Sequence, residues 1–564
     1  MLIRISVSLP TARPQQTTQV LTVAHGTTLA EISARLGSNP RDPRRHLVAA
    51  YMDNRLCSLA EPVVQPCHVE FLDLAAMDGR RVYQRTLIFL LCAAVWRTFP
   101  EKQVFIRHSL SNGVYGEISG RAALSDEDLQ HIDAAMRALI DQNHVIQTLT
   151  VPRDDAIKFI QKKTSPSHAA SLRPLLTQLD DEPVTLHEVD GFVDYLDGPT
   201  LPTSGHAAFF RLHLHPPGFV LQTPEKAEPP GIPPFVRQPR LTQAFRTARN
   251  WAAEVRAACV AALNERLAEN ASAIIQRAET VHAEHIARIA ERIAAAPGCR
   301  LIAIAGPSAS GKTTFSRRLA DQLEANGLRP HILHLDDYFR GRDKAPLDEN
   351  GDRDFEHIEV VDHELVNDHL SRLMRGEPIA PPTYNFATGR REPSQRLIQL
   401  DPDQPVIMEG IHALNDRLTG PIPKTRQFRI YISALTPVTL HDRVRIHTTD
   451  IRLIRRMVRD ARTRGHRAEE TLARWPSVRR GEKRFVFPFQ EDVDVIFNSA
   501  LLYEIAVLKP FAEKLLEEVS ARSSARPLAD RLRTLCNHVD ALIAEHLIPP
   551  QSILREFIGG SCYA

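Results

Sequence analysis

The chain has 564 residues, which is enough for several domains. It is 43% hydrophobic and 24% charged, the balance of a soluble globular protein, and its net charge of +2 gives no bulk basicity to argue for nucleic acid. Seven cysteines without a C-x-x-C pair fit reduced thiols in a cytosol better than a disulfide frame or a zinc site. The apolar run Thr86 to Trp96 is too short to span a bilayer, and the first ten residues lack a signal-peptide core. A cytoplasmic protein with no membrane contact is expected.

Residues 1–75 read as a small mixed domain: "LIRISVSL" alternates like a strand, "TLAEISARLG" reads as a short helix stopped at Gly37, and "HLVAAYMDN" and "HVEFLDL" read as further strands. Residues 80–222 form a second unit. In it Ser125 and Asp128 predict a capping box, and Leu129, Ile132, Met136 and Leu139 one apolar helix face. Residues 223–296 begin with a proline-dense linker, Thr223 to Pro239, and continue as an Ala-, Arg- and Glu-rich helical connector. Two histidine pairs, His213/His215 and His282/His285, each share a face with no third ligand in view, so packing or surface roles are expected.

Residues 297–520 carry the chemistry. Leu301 to Ala305 is an apolar run fit for a buried strand, and Gly306, Gly311, Lys312 and Thr313 follow with the spacing G-x-x-x-x-G-K-[ST]. Glycines let backbone N–H groups close around phosphate oxygens, so Gly306, Ser308, Ser310, Gly311, Lys312, Thr313 and Thr314 are the expected nucleotide cradle. Lys312 would reach the β and γ phosphates and the Thr313 hydroxyl would ligate Mg²⁺. Phe315, Leu319 and Leu323 then recur at helical spacing up to Gly327. Strand and helix signals alternate beyond, through "RPHILHLDD", "DQPVIMEG", "FRIYIS" and "VDVIFNS", predicting an α/β domain with a mostly parallel sheet. Asp336, Asp337 and Glu409 fall at the carboxyl ends of these strands, where such sheets bind ligands.

Phosphoryl transfer to a hydroxyl also needs a carboxylate for the attacking group and cations over the migrating charge. Asp336 and Asp337 supply the first, and Glu409 reads as a second acid acting on the metal. "DIRLIRRMVRDARTRGHR" supplies the cations, and spacing alone does not choose among its arginines. Residues 521–564 read as a helical extension, with "SILREFIGGSCY" as a docking segment.

The motifs "GPSASGKTTF", "LDDYF", "PTYNFATGRR", "VIMEGIHAL" and "DIRLIRRMVRD" together resemble the uridine kinase and phosphoribulokinase family of P-loop kinases. The resemblance implies an ATP- and Mg²⁺-dependent kinase with Asp336 as catalytic base, Tyr384 and Phe386 against a nucleoside, and an arginine-rich lid. Arg452, Arg455 and Arg459 match the start of that lid and Arg464 its loop. In this reading Asp336, Lys312, Arg455 and Arg459 are catalytic, Asp337, Tyr384, Phe386, Arg452 and Arg464 bind the acceptor, and Thr313 and Glu409 hold the metal. The family carries a histidine three residues after the phenylalanine, where this chain has Gly389, which leaves pyrimidine selectivity open. Residues 1–75 resemble the ubiquitin-like TGS module, a β-grasp fold. Residues 80–222 resemble the α+β second additional domain of threonyl-tRNA synthetases. The positions of that domain's metal-site pattern fall on Arg85, Phe89, Leu196 and Thr200, so metal-assisted editing is not expected. An RNA- or tRNA-binding protein with an NTP-driven P-loop switch is the alternative, as is a kinase for a non-nucleoside alcohol.

Overall fold

The computed structural model describes the chain except residues 11–17, 121–122, 164–165, 179–182, 226–230, 349–350, 387, 395, 402 and 564; the middle of the predicted linker thus lies outside the described residues. Alternation in Leu2–Ser8 turns Ile3, Ile5 and Val7 into one core, as a half-buried strand requires. Five strands form the front sheet, in spatial order Thr18–Ala24, Leu2–Ser8, His68–Asp73, Leu47–Met52 and Arg55–Cys57. Leu2–Ser8 runs parallel to His68–Asp73 and the other pairs are antiparallel. Helix Leu29–Arg35 covers this sheet, opened by a capping box of Thr28 and Glu31, and Gly37 adopts the left-handed conformation just past its end.

The second unit is built on helix Met77–Thr98. Its apolar run is buried on nearly every side, which explains a stretch that lacks amphipathic periodicity. Around it stand two antiparallel sheets, one of four strands and one of three. Helix Asp126–Asp141 carries the expected capping box of Ser125 and Asp128 and buries Leu129, Ile132, Met136 and Leu139. No helix among the described residues is long and apolar enough to cross a membrane.

Helices Pro239–Glu254 and Val260–Ala294 connect this unit to the C-terminal half, and the second packs along the P-loop helix. His282 and His285 sit there against Phe497, and His213 bonds to Gln222, so both pairs have packing roles.

The C-terminal half contains a wholly parallel five-stranded sheet, in the order His331–His334, Val406–Glu409, Leu301–Ala305, Gln427–Ser433 and Val495–Asn498. Continuous burial of Leu301–Ala305 is what a central strand covered on both faces needs. Register places Ile304 opposite Glu409, and Glu409 opposite His334. Gly306, Asp336 and Glu409 therefore emerge along one edge. The chain is thus a multidomain α/β protein whose second unit is fastened to the C-terminal half: the Ile106 N–H donates to the Asp442 carbonyl at 2.8 Å, and Arg81 grips Asp450 through both carboxylate oxygens.

Candidate active site

The P-loop runs from the central strand into helix Lys312–Ala325. Gly306 is required by close approach, since a Cβ there would lie 2.1 Å from the Ile432 carbonyl oxygen of the neighbouring strand. Ala309 and Gly311 have positive φ, which turns successive N–H groups inward as an anion-binding nest. Lys312 Nζ folds back on the carbonyls of Gly306 and Pro307, at 3.1 and 3.3 Å. The Ser310 hydroxyl is buried with no hydrogen-bond partner among the described residues.

Thr313 Oγ1 donates to Glu409 Oε1 at 3.2 Å, and His334 Nδ1 lies 2.7 Å from the same oxygen. Burial opposes ionisation of Glu409, but the hydrogen bond and charge of His334 hold its carboxyl below the ordinary value. A hydroxyl and a carboxylate side by side at a helix N-terminus are hard oxygen donors suited to Mg²⁺, which takes one or two carboxylates and completes its shell with phosphate and water.

Asp336 and Asp337 lie in the 3₁₀ turn Leu335–Tyr338, which follows the edge strand. Burial and then the Glu409 charge push the Asp336 carboxyl above its usual value, while Lys312 and Arg464 pull it down. Asp337 is spent differently: its Oδ1 accepts the Tyr384 N–H at 3.1 Å and pins the hairpin of Thr383–Asn385 and Arg390–Glu392. Tyr384 and Phe386 meet edge to face, with centroids 5.1 Å apart, and the Arg464 guanidinium stands 5.1 Å over the half-open Phe386 ring. Gly389 closes this hairpin at positive φ. A side chain there would be strained by that backbone and would have to displace Arg342, whose Cδ lies 2.5 Å from an added Cβ.

The arginine-rich helix expected to form the lid is Thr448–Arg464. Arg464, expected in the loop, is its last helical residue, because Gly465 in the left-handed conformation ends the helix one step later. The arginines divide by burial. Arg452 pairs with Glu482 and Arg455 with Glu504, both as closed ion pairs in the interior. Arg455 reaches the P-loop only at the Ala309 carbonyl, 3.4 Å away. Arg456, Arg459 and Arg464 gather on Asp460 and stay nearer the open face. Arg456 also donates to Ser308 Oγ at 2.9 Å and lies 3.8 Å from Glu356, whose carboxyl burial pushes up to about 7.

Sequence reasoning missed Arg456 as a P-loop contact, and it missed the acids Glu356, Glu482 and Glu504. It also missed Glu556. This residue sits in the C-terminal turn Arg555–Ile558, and its carboxylate accepts the Thr314 N–H at 3.3 Å and the Thr314 hydroxyl at 2.9 Å. Ile553 beside it is buried against Gly311. The expected docking segment thus lies on the P-loop itself.

A parallel sheet with a P-loop, a strand-end acid beside its threonine and an arginine-rich helix against it defines a P-loop nucleotide-binding protein. The sequence model of the phosphoribulokinase / uridine kinase family matches residues 301–506. The uridine kinase of Tolumonas auensis is 30% identical over 214 residues, 37% of this chain and 92% of that protein. That of a Geobacillus species is 28% identical over 197 residues, 35% of this chain and 84% of that protein. The chain belongs to the phosphoribulokinase / uridine kinase family. Its N-terminal region is similar to the threonine–tRNA ligase of Acetivibrio thermocellus, 26% identical over 187 residues, 33% of this chain but only 28% of the ligase.

Proposed function

We propose that the protein transfers the γ-phosphoryl group of ATP to a hydroxyl of a nucleoside. The observation that carries this reading is the convergence of Lys312, Asp336, Glu409 and Arg464 beside the Tyr384/Phe386 pair. One cluster offers a phosphate cradle, a base and a flat apolar wall. In this mechanism the acceptor hydroxyl loses its proton to Asp336 as its oxygen attacks the γ-phosphorus. The bond from that phosphorus to the β–γ bridging oxygen breaks, and ADP leaves. Asp336 suits the task because burial raises its proton affinity toward neutral pH. Lys312 and the loop N–H groups hold the phosphates, and Arg456, Arg459 and Arg464 face the charge that spreads over the transferring oxygens. Thr313 and Glu409 would hold Mg²⁺, which neutralises phosphate charge when bound. Arg452 and Arg455 position the lid from within. Asp337 acts through the hairpin it pins.

The test is ADP release with ATP and Mg²⁺ across a panel of nucleosides, sugars and simple alcohols. One nucleoside is expected to stimulate release, and Lys312→Ala to abolish the stimulation. Stimulation by a sugar or alcohol alone would overturn the nucleoside assignment.

Glu556 bears on the same site. Its carboxylate takes a helix N-terminal N–H that a nucleotide phosphate would use, so the two compete. Glu556→Gln keeps the side-chain shape and removes the charge. It is expected to tighten ATP binding about tenfold, since hydrogen bonds to charged groups are worth ~1.5–3 kcal/mol. Titration with a fluorescent ATP analogue reads this directly, and an unchanged Kd would remove the competition.

A further inference from the structure

Where the second unit meets the lid, a cavity of about 90 Å³ is walled by five guanidinium groups. Arg81 and Arg85 come from helix Met77–Thr98, Arg443 and Arg445 from the hairpin of Thr439–His441 and Val444–Arg445, and Arg531 from helix Arg526–Asn537. Three of the five are neutralised. Arg81 and Arg531 share Asp450, Arg531 also holds Asp78 at 2.5 Å, and Arg443 pairs with Asp194.

The remaining two are not. Arg85 gives an N–H to the Pro199 carbonyl at 2.7 Å and makes no ion pair among the described residues, although the Asp197 charge lies near it. Arg445 has neither an ion pair nor a side-chain hydrogen bond among the described residues, although it lines the cavity. Burial, and then the neighbouring Arg81 charge, push its guanidinium down to about 10, so it is still a cation at neutral pH. Asp197 is the one lining carboxylate outside the closed pairs, which leaves two cations facing one anion. Both guanidinium groups are half-buried, and two cations facing one carboxylate leave a positive potential that favours an anion. The cavity has room for about three waters at ~30 Å³ each, the size of one tetrahedral oxyanion.

We propose that this cavity is an anion site taking one phosphate group, free or as a small monoester, gripped by Arg445 and Arg85. The site is independent of the acceptor assigned above. Its position links the synthetase-like unit to the kinase half. Asp450, clamped by Arg81 and Arg531, lies in the first turn of the lid helix that carries Arg456, Arg459 and Arg464. An anion that draws on Arg81 or Arg445 acts at the root of that helix, so its binding and the lid's position are thermodynamically linked.

The experiment is thermal unfolding of the full chain against increasing inorganic phosphate, glycerol 3-phosphate or glycerol, at constant ionic strength. Arg445→Gln is expected to match or exceed the parent in phosphate-free buffer, because it removes a half-buried cation that faces other guanidinium groups. Its stabilisation by phosphate should need at least about tenfold more ligand than the parent. Arg85→Gln should repeat this, and it carries the test if the first variant does not fold. Lys312→Ala, which alters the P-loop, should leave this part of the response in place. A stronger response to glycerol 3-phosphate than to phosphate identifies a monoester, and the reverse identifies free phosphate. Equal responses of parent, Arg445→Gln and Arg85→Gln would overturn the proposal, as would a response that disappears with Lys312→Ala.

Discussion

Asp336→Asn is expected to lower kcat by about a thousandfold while ATP affinity stays within about twofold of the parent, since positioned general bases contribute roughly 10²–10⁴. The substitution keeps size and hydrogen-bonding shape, so it removes the base and little else. The surrounding charges keep the binding effect small, because they oppose each other. Asp336 lies near both Glu409 and Lys312, and loss of its charge relieves repulsion with the first while removing an attraction to the second. The pH profile separates base from bystander. Because burial raises the Asp336 carboxyl above its ordinary value, parent activity should fall as pH drops through that raised value, where the base becomes protonated. The residual activity of the variant should lack that acidic limb. Turnover equal to the parent, measured as ADP release with the stimulating nucleoside, would sink the base assignment.

Local pattern made much of this legible in the sequence. An apolar run of five residues, two spaced glycines and a lysine suffice for the P-loop, because strand, nest and helix are contiguous. Asp336 and Glu409 were legible for a related reason, since acids that end apolar runs must fall at one edge of a parallel sheet. The arginines were not. Arg452, Arg455, Arg456 and Arg459 follow one another on one helix, and what separates them is whether a buried acid waits opposite. Those acids, Glu482 and Glu504, lie 30 and 49 residues downstream on other elements. Glu556 lies 242 residues from the threonine it caps, and no periodicity spans that gap. At Gly389 the departure from the family pattern was visible, while the Arg342 side chain packed beside it needed the three-dimensional placement.

The division among the arginines leads to the second large effect. Glu482 is fully buried and accepts from three donors at once: the Arg452 guanidinium, Arg479 at 2.6 Å and the Ser308 N–H of the P-loop at 3.1 Å. Arg452 is equally enclosed and lies over the Trp475 ring at 5.5 Å. Glu482→Ala leaves that guanidinium in the interior with only the Ser308 carbonyl, 2.9 Å from its Nε. Removing one partner of a buried pair costs about 3–5 kcal/mol, because the surviving charge has lost its compensation. The variant is therefore expected to unfold at much lower temperature or denaturant concentration than the parent. Glu377→Ala, which breaks the exposed pair with Arg375, should leave unfolding unchanged. The double variant Arg452→Met/Glu482→Leu discriminates further. If the pair serves mainly to join lid and P-loop, replacing both charges with apolar groups should recover most of the lost stability. ATP affinity should nonetheless remain weakened, because the Ser308 N–H and carbonyl no longer tie the loop to the lid. Recovery of stability and affinity together would show instead that the pair only fills the core.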